Sequence, residues 1–441
     1  MPKNSLPFNI DYKKMPRRDL LCIDVKSFFA SVEAVRRNLD PMDAYVIVIS
    51  DFKRPGAVVL AASPKVKKEF GITTGSRKFQ IPNNKKIILT EPSMGLYLQK
   101  NLEICDIFRR YVSEEDLWIY SIDEAFLDIS STICLFGSPR EIALNIQKDI
   151  YNELGLVTAV GIGDNPLLAK LALDNEAKKT ACQTAYWSYE NVPETIWKIP
   201  SLTDMWGISK GYKKKLLNLG IGSIYSLAHT NPDILERSMG IMGLQLFYHS
   251  WGVDYSRLSE KVTSKNRSFG KGQILMKDYF SQEKILIIIA EMAEEIASRL
   301  RKNNFYCRGI SLYIGFSKDW EEKGFRKDLK LPGPTQNTRE INQYFQSIFL
   351  QNWNKQPVRQ IYLSCTRVSP GNVLQPNLFN LDFDDKKETK IDSVLDGLKD
   401  KYGKTAIFKG HSLAKGSTFL ERSGYIGGHK GDTEYNGKKE E

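Results

Sequence analysis

"YSIDEAFLDIS" (residues 120–130) decides how this chain is read. Its residues alternate as in a β-strand, yet Asp123 and Glu124 stand side by side among apolar neighbours. Burying one carboxylate is costly unless a positive partner compensates it, and two adjacent carboxylates repel each other. Adjacent side chains of a strand point to opposite faces, so the pair serves one site only where the chain bends. Taken with the preceding "LWI", the stretch predicts a hairpin of two short strands with the acids near its bend.

Working outward, "DLLCIDV" (19–25) reads as a buried strand ending beside Asp24, and Ser27 opens a helical stretch stopped by Pro41. Ligands gather at such strand ends in an α/β sheet. Asp24, Asp123 and Glu124 meeting there would hold divalent cations, and Mg²⁺ suits them because it takes hard oxygen ligands. Two ions ~3.5–4 Å apart would clamp the attacking and leaving oxygens of a phosphoryl transfer. The plainer alternative is that Asp24 or Asp123 caps a turn while Glu124 is solvated.

Strand-like runs follow at 45–50 and 57–62, and a helical pattern runs from about 94 to 112. The next helix is punctuated by a Ser138 cap, Pro139 at its first position, Glu141 completing a capping box, and Gly155 at its end. Strand 156–163 then precedes a helix opened by Asn165 and Pro166, so strands and helices alternate through roughly residue 180. From 190 to 257 strands vanish and short helices take over, and 258–266 reads as a polar linker. A second α+β module follows, with a strand at "QILM", a helix at 282–303, a strand at 309–316, a helix at 337–352 and a strand at 360–366. The final 75 residues mix Gly, Lys and acids and read as partly extended.

The 441 residues carry a formal charge of +11, which favours a polyanionic partner. Between 64 and 86 there are seven basic residues against Glu69 alone, a pattern of either a solvated face or a phosphate-facing one. The N-terminus has no apolar signal region, and the longest aliphatic run, "ILIIIA" at 285–290, is far short of the ~20 residues of a membrane span. Six cysteines without a C-x-x-C pair give neither a disulfide framework nor a zinc site. A reduced, soluble, cytoplasmic protein with no membrane association is expected.

"SIDEAFLDIS" together with "DVKSFFASVE" (24–33) resembles the two signature motifs of the Y-family translesion DNA polymerases, in their UmuC-like bacterial branch, and the likeness runs in order from about 19 to 380. The resemblance implies an α+β right-hand polymerase. Its parts would be an N-terminal extension (1–18), palm (19–35 and 93–180), fingers (36–92), helical thumb (181–257), linker (258–266), little finger (267–367) and a C-terminal tail (368–441). It implies that Asp24, Asp123 and Glu124, with the Val25 carbonyl, hold two Mg²⁺ ions. Lys26 stands where relatives often carry a polar or acidic residue. Phe29 falls on the steric gate that excludes a 2′-hydroxyl, with Phe28 as packing; two core aromatics at a helix start are the alternative.

"ASPKVKKEFGI" (62–72) resembles the fingers segment that grips the triphosphate, with Lys65 and Lys68 where relatives often carry Tyr and Arg. "VGIGDNPLLAKLALDNEAKK" (160–179) matches the palm helix whose Lys170 would reach the dNTP phosphates; a surface lysine paired with Asp174 is the alternative. "MWGISKGYKKKLLNLGIGSIYSLA" (205–228) resembles the thumb's helix-hairpin-helix, with Gly207 and Ser209 at the turn that binds a DNA phosphate. The module from "RSFGKGQILM" resembles the little finger, with Arg267 and Lys271 expected to face primer–template phosphates. "LQPNLFN" (374–380) matches a β-sliding-clamp-binding peptide anchored by Gln375, Leu378 and Phe379. Accessory proteins of the UmuD or recombinase kind are further partners that the resemblance implies. A catalytically idle DNA-binding scaffold that kept the fold and the clamp peptide is the competing reading.

Overall fold

β1 (Leu20–Val25) is apolar except for Asp24 because it is the central strand of a sheet covered on both faces. The computed structural model describes residues 10–54, 56–260, 267–371 and 383–431, without side chains over 383–389. It divides into two units, Met1–Lys261 with His429–Glu441, and Val262–Gly428.

The stretch 10–260 carries, after β1, strands β2 (Val46–Ile49), β3 (Val59–Ala62), β4 (Ile88–Thr90), β5 (Leu117–Ile119), β6 (Glu124–Asp128), β7 (Thr158–Gly163) and β8 (Thr184–Trp187). The palm sheet has the order β5-β6-β1-β7-β8. It ends at β8, which pairs in parallel with β7. The expected strand at 156–163 is β7, and the capping box at Ser138 and Glu141 opens the helix Pro139–Leu154.

Two glycines fix how the sheet is covered. A Cβ on Gly161 would lie 2.0 Å from the Ala169 carbonyl oxygen, and one on Gly163 would lie 2.3 Å from the Ala169 nitrogen. Only glycine lets the helix Pro166–Asn175 press this closely onto β7. The opposite face is covered by helices Met94–Phe108 and Pro139–Leu154. The fingers are a small sheet in the order β3-β2-β4, with the helix Pro64–Phe70 after β3. Residues 190–257 form short helices as expected, including Lys210–Asn218 and Ile241–Ser250.

The four-stranded sheet of the second unit comprises β9 (Phe269–Tyr279), β10 (Phe305–Phe316), β11 (Gly324–Thr335) and β12 (Val358–Pro370), ordered β11-β10-β12-β9. Helices Gln282–Lys302 and Thr338–Asn352 bury their apolar stripes against one face. The tail departs from the extended chain expected of it. Residues Phe383–Tyr402 form a helix that docks on this unit, where Arg301 is bonded to Asp392 (3.0 Å) and Asp396 (2.7 Å). Ser417 and Thr418 hold Glu291 through hydrogen bonds. Among the described residues no helix is long and apolar enough to cross a membrane.

Candidate active site

β1 and β6 pair antiparallel with Asp24 directly opposite Glu124, so both side chains stand on one face of the sheet. Asp123 lies at the bend just before β6. Its carbonyl accepts the Val25 N–H at 2.9 Å, and its carboxylate accepts the Ser121 hydroxyl at 2.5 Å.

The compensating charge is lysine. Helix Pro166–Asn175 crosses the same face and presents Lys170 and Asp174 one turn apart. Lys170 Nζ lies 2.7 Å from Glu124 Oε1 and 2.9 Å from Asp174 Oδ2. Lys178 Nζ lies 3.1 Å from Asp24 Oδ2 and 2.9 Å from Asp174 Oδ1. The result is an alternating string, Glu124–Lys170–Asp174–Lys178–Asp24. Burial pulls the Lys170 ammonium down, but Glu124 and Asp174 outweigh it and hold it above its ordinary value. Burial pushes the Asp24 carboxyl up to about 6; Lys178 opposes the rise while Asp123 and Glu124 add to it. The Cys22 thiol, fully buried, donates to Glu124 Oε1 at 3.2 Å. Lys26 Nζ donates to the Lys178 carbonyl at 3.1 Å.

Asp24, Val25 and Asp123 open onto a cavity of about 640 Å³ whose walls include Phe28, Phe29, Lys67, Lys68 and Lys178. Glu124 lies behind it against Lys170. As arranged, no three acidic, His or Cys side chains among the described residues converge as a ready ligand set. The donors nonetheless fit a hard cation: they are carboxylates with a neighbouring carbonyl, and the raised Asp24 marks an anion that its lysine does not fully compensate.

Phe29 stacks on Tyr97 with ring centroids 4.4 Å apart and planes 13° from parallel. The Tyr97 hydroxyl donates to buried Glu33 at 2.9 Å, which holds this stack in place. Phe28 is the more buried of the two and meets Tyr97 edge-on. Ser27 adopts φ +51° at the start of this helix and accepts a hydrogen bond from Lys67 Nζ at 2.8 Å.

The fingers lysines separate by helical phase. Pro64, Lys67 and Lys68 share one face of their helix and line the cavity. Lys65 is rotated away, 3.0 Å from Asp43 and over the Tyr45 ring. Lys170 is not on the cavity wall, whereas Lys178, on the turn Ala177–Lys179, is. Sequence reading missed Lys67 and Lys178; the i, i+3, i+4 spacing from Pro64 would have found the first.

Gly207, with φ +93°, and Ser209, before helix Lys210–Asn218, line a second cavity of about 520 Å³ together with Asp174 and Trp206. In the other unit, the Arg267 guanidinium lies over the Phe305 ring at 5.6 Å. Lys271 does not project outward as expected. It shares the helix-covered side of β9 with Gln273 and Leu275, both buried, and pairs with Glu295. Burial, reinforced by Arg422, Lys404 and Arg299, lowers its pKa to about 8. Gln375, Leu378 and Phe379 lie outside the described residues.

A five-stranded palm with paired acids, a cavity shared by those acids and the fingers lysines, a helical thumb and a separate α+β unit together define the Y-family polymerase fold. A solved Y-family DNA polymerase chimera, Dbh-Dpo4-Dbh, matches it with a TM-score of 0.64 at 18% identity, over 80% of this chain and 99% of that one. The family model for the impB/mucB/samB family matches residues 23–174, and that for the family's C-terminal domain matches 266–378. The chain is 42% identical over 421 residues to a Bacillus subtilis (strain 168) protein named for UV-damage repair, UvrX, covering 96% of this chain and 100% of that relative. It is 34% identical over 419 residues to DNA polymerase IV 2 of the same organism, covering 94% and 99%. The chain belongs to the impB/mucB/samB family, the UmuC/DinB-type Y-family DNA polymerases.

Proposed function

We propose that this chain is a low-fidelity, template-directed DNA polymerase that carries out translesion synthesis on damaged DNA by two-metal-ion nucleotidyl transfer. The observation that carries the reading is the acidic bend of Asp24 and Asp123 opening onto a cavity walled by Lys67, Lys68 and Lys178. Carboxylates paired with Lys178 on the palm side, and the ammonium groups of Lys67 and Lys68 on the fingers side, suit a site that joins a primer 3′-hydroxyl to a nucleoside triphosphate.

Asp24, Asp123 and Glu124, with the Val25 carbonyl, would hold two Mg²⁺ ions, which when bound supply charge neutralisation on the phosphates and a lowered pKa at the 3′-hydroxyl. Lys67 and Lys68 reach the triphosphate from the fingers as point charges, and Lys178 reaches it from the palm. Lys170 holds Glu124 in place between those events. Phe29, fixed by its stack on Tyr97, closes the space beside C2′ of the incoming sugar. The fingers wall offers Leu60, Ala61 and Thr74, small or aliphatic side chains that press weakly on the shape of a base pair. That tolerance supports insertion opposite damaged bases.

The peptide 374–380, through Gln375, Leu378 and Phe379, would tether the enzyme to a β sliding clamp and raise its effective concentration at a primer end. Primer extension on undamaged and abasic templates, with Mg²⁺ and dNTPs, tests the reading. Extension across the abasic site, lost on chelation of Mg²⁺, is expected. DNA binding without primer extension on either template, with clamp present, would overturn it in favour of a DNA-binding scaffold.

A further inference from the structure

An aromatic cluster on the carboxylate face of the palm has no part in the chemistry above. Trp118 lies opposite Phe126 in the β5–β6 ladder, and Phe126 stands two residues along from Glu124, so Trp118 shares the face of Asp24 and Glu124. Trp118 stacks on Phe126 with centroids 5.2 Å apart, and Phe126 in turn stacks on Trp206 at 5.9 Å. Tyr120 closes the group edge-on, 5.3 Å from Trp118 and 6.0 Å from Trp206.

Phe126 is fully buried, but Trp118 and Tyr120 are 40% and 42% exposed. Holding two large rings in water at the edge strand of a sheet forfeits burial that each could have had. The position of the rings gives the reason. Tyr120 is three residues before Asp123, and its N–H is bonded to the Glu124 carbonyl at 3.0 Å. Trp206 is next to Gly207 in the hairpin turn and lines the same cavity as Asp174 of the charged string. Trp118 thus shares the carboxylate face, Tyr120 adjoins the acidic bend, and both are joined to Trp206 of the hairpin by ring contacts.

We propose that Trp118 and Tyr120 form a contact surface for the 3′-terminal nucleotides of the primer strand. The deoxyribose faces and the last base are the apolar parts of that strand, and aromatic rings hold such groups without reading sequence. This inference rests on the polymerase reading, because it takes the primer end to be the group delivered to Asp24 and Asp123.

Photo-crosslinking tests it without requiring turnover. A primer carrying 5-iodouracil at its 3′ end, annealed to template and bound to the full chain, is irradiated and the adducts are mapped by mass spectrometry. Adducts on Tyr120 or Trp118 are expected with the labelled primer, and not when the label stands at the far end of the template. Adducts mapping elsewhere in a formed complex would overturn the proposal. Fluorescence anisotropy supplies the second reading. Trp118→Ala with Tyr120→Ala is expected to weaken primer–template binding about tenfold or more, with Trp118→Phe and Tyr120→Phe restoring most of it. An unchanged Kd in the alanine pair would also overturn it. A wild-type chain that binds and crosslinks through these rings but extends no primer would instead sink the polymerase reading alone.

Discussion

Asp24 on β1 and Lys271 on β9 are both charges set within strands, and they meet opposite fates. β1 is buried on both faces, yet Asp24 stands at its open end, faces Glu124 across the ladder and borders a cavity. Lys271 sits within an edge strand whose alternate residues Gln273 and Leu275 are buried, so the same alternation turns its ammonium inward. A strand's period fixes which side a charge takes, and what packs on that side decides whether the charge meets solvent. The palm end opens onto a cavity, whereas the β9 side is covered by helix Gln282–Lys302 and by the tail.

The largest effect is expected at the open end. Asp24→Asn should lower primer extension about 10³-fold or more, since several kcal/mol of charge stabilisation is lost, while DNA binding by anisotropy holds. A loss of tenfold or less would remove Asp24 from the chemistry and weaken the contrast with Lys271.

At the covered side the next effect is on stability. Arg301, 7% exposed, bonds Asp392 and Asp396, and breaking such a buried network typically costs about 3–5 kcal/mol. Arg301→Ala should therefore release the tail helix, read as faster amide exchange over Phe383–Tyr402, and lower the urea midpoint. Protection unchanged from wild type would show that the docked tail does not depend on this anchor.

Phe29→Ala should raise ribonucleotide incorporation by about 30-fold, in line with the ~2 kcal/mol that relief of steric overlap provides. Competition between dCTP and CTP on a single template base measures it, and an unaltered ratio would return Phe29 to a packing role. Within the fingers, Lys67→Ala is expected to raise the KM for dNTP about tenfold and Lys65→Ala less than twofold, because only the first faces the cavity. Equal effects would deny the helical-phase argument.

The smallest effect concerns pH. Lys271 has a folded pKa of about 8 against its ordinary 10.5, so between these values the unfolded chain binds more protons. Stability from this group therefore rises with pH across that window. Lys271→Met should flatten the stability curve between about pH 8 and 10.5, and a wild-type slope in the variant would show Lys271 to be solvated.

The palm was legible because its strands are short, strongly patterned and bounded by Gly, Pro and Ser, and because adjacent acids inside an apolar run demand a reason. The acids' union on one face needed the β1–β6 register, which only the structure supplies. Lys67 and Lys178 were hidden among other lysines, where one position of helical phase or one turn decides direction. β11 was missed because "GFRKDLKLPGPT" is polar with two prolines, which an edge strand tolerates and a central strand would not. The tail helix was missed because it is held by Asp392, Asp396 and Lys399 on charged partners, not by a plain apolar stripe.

The most direct test is single-turnover primer extension from a preformed primer–template complex, comparing wild type with Asp123→Asn plus Glu124→Gln. Rapid, Mg²⁺-dependent addition of one nucleotide by the wild type, with at least a thousandfold loss in the variant at equal DNA occupancy, is the predicted result. Equal rates in the two proteins would contradict the assignment of the acidic bend as the centre of the chemistry.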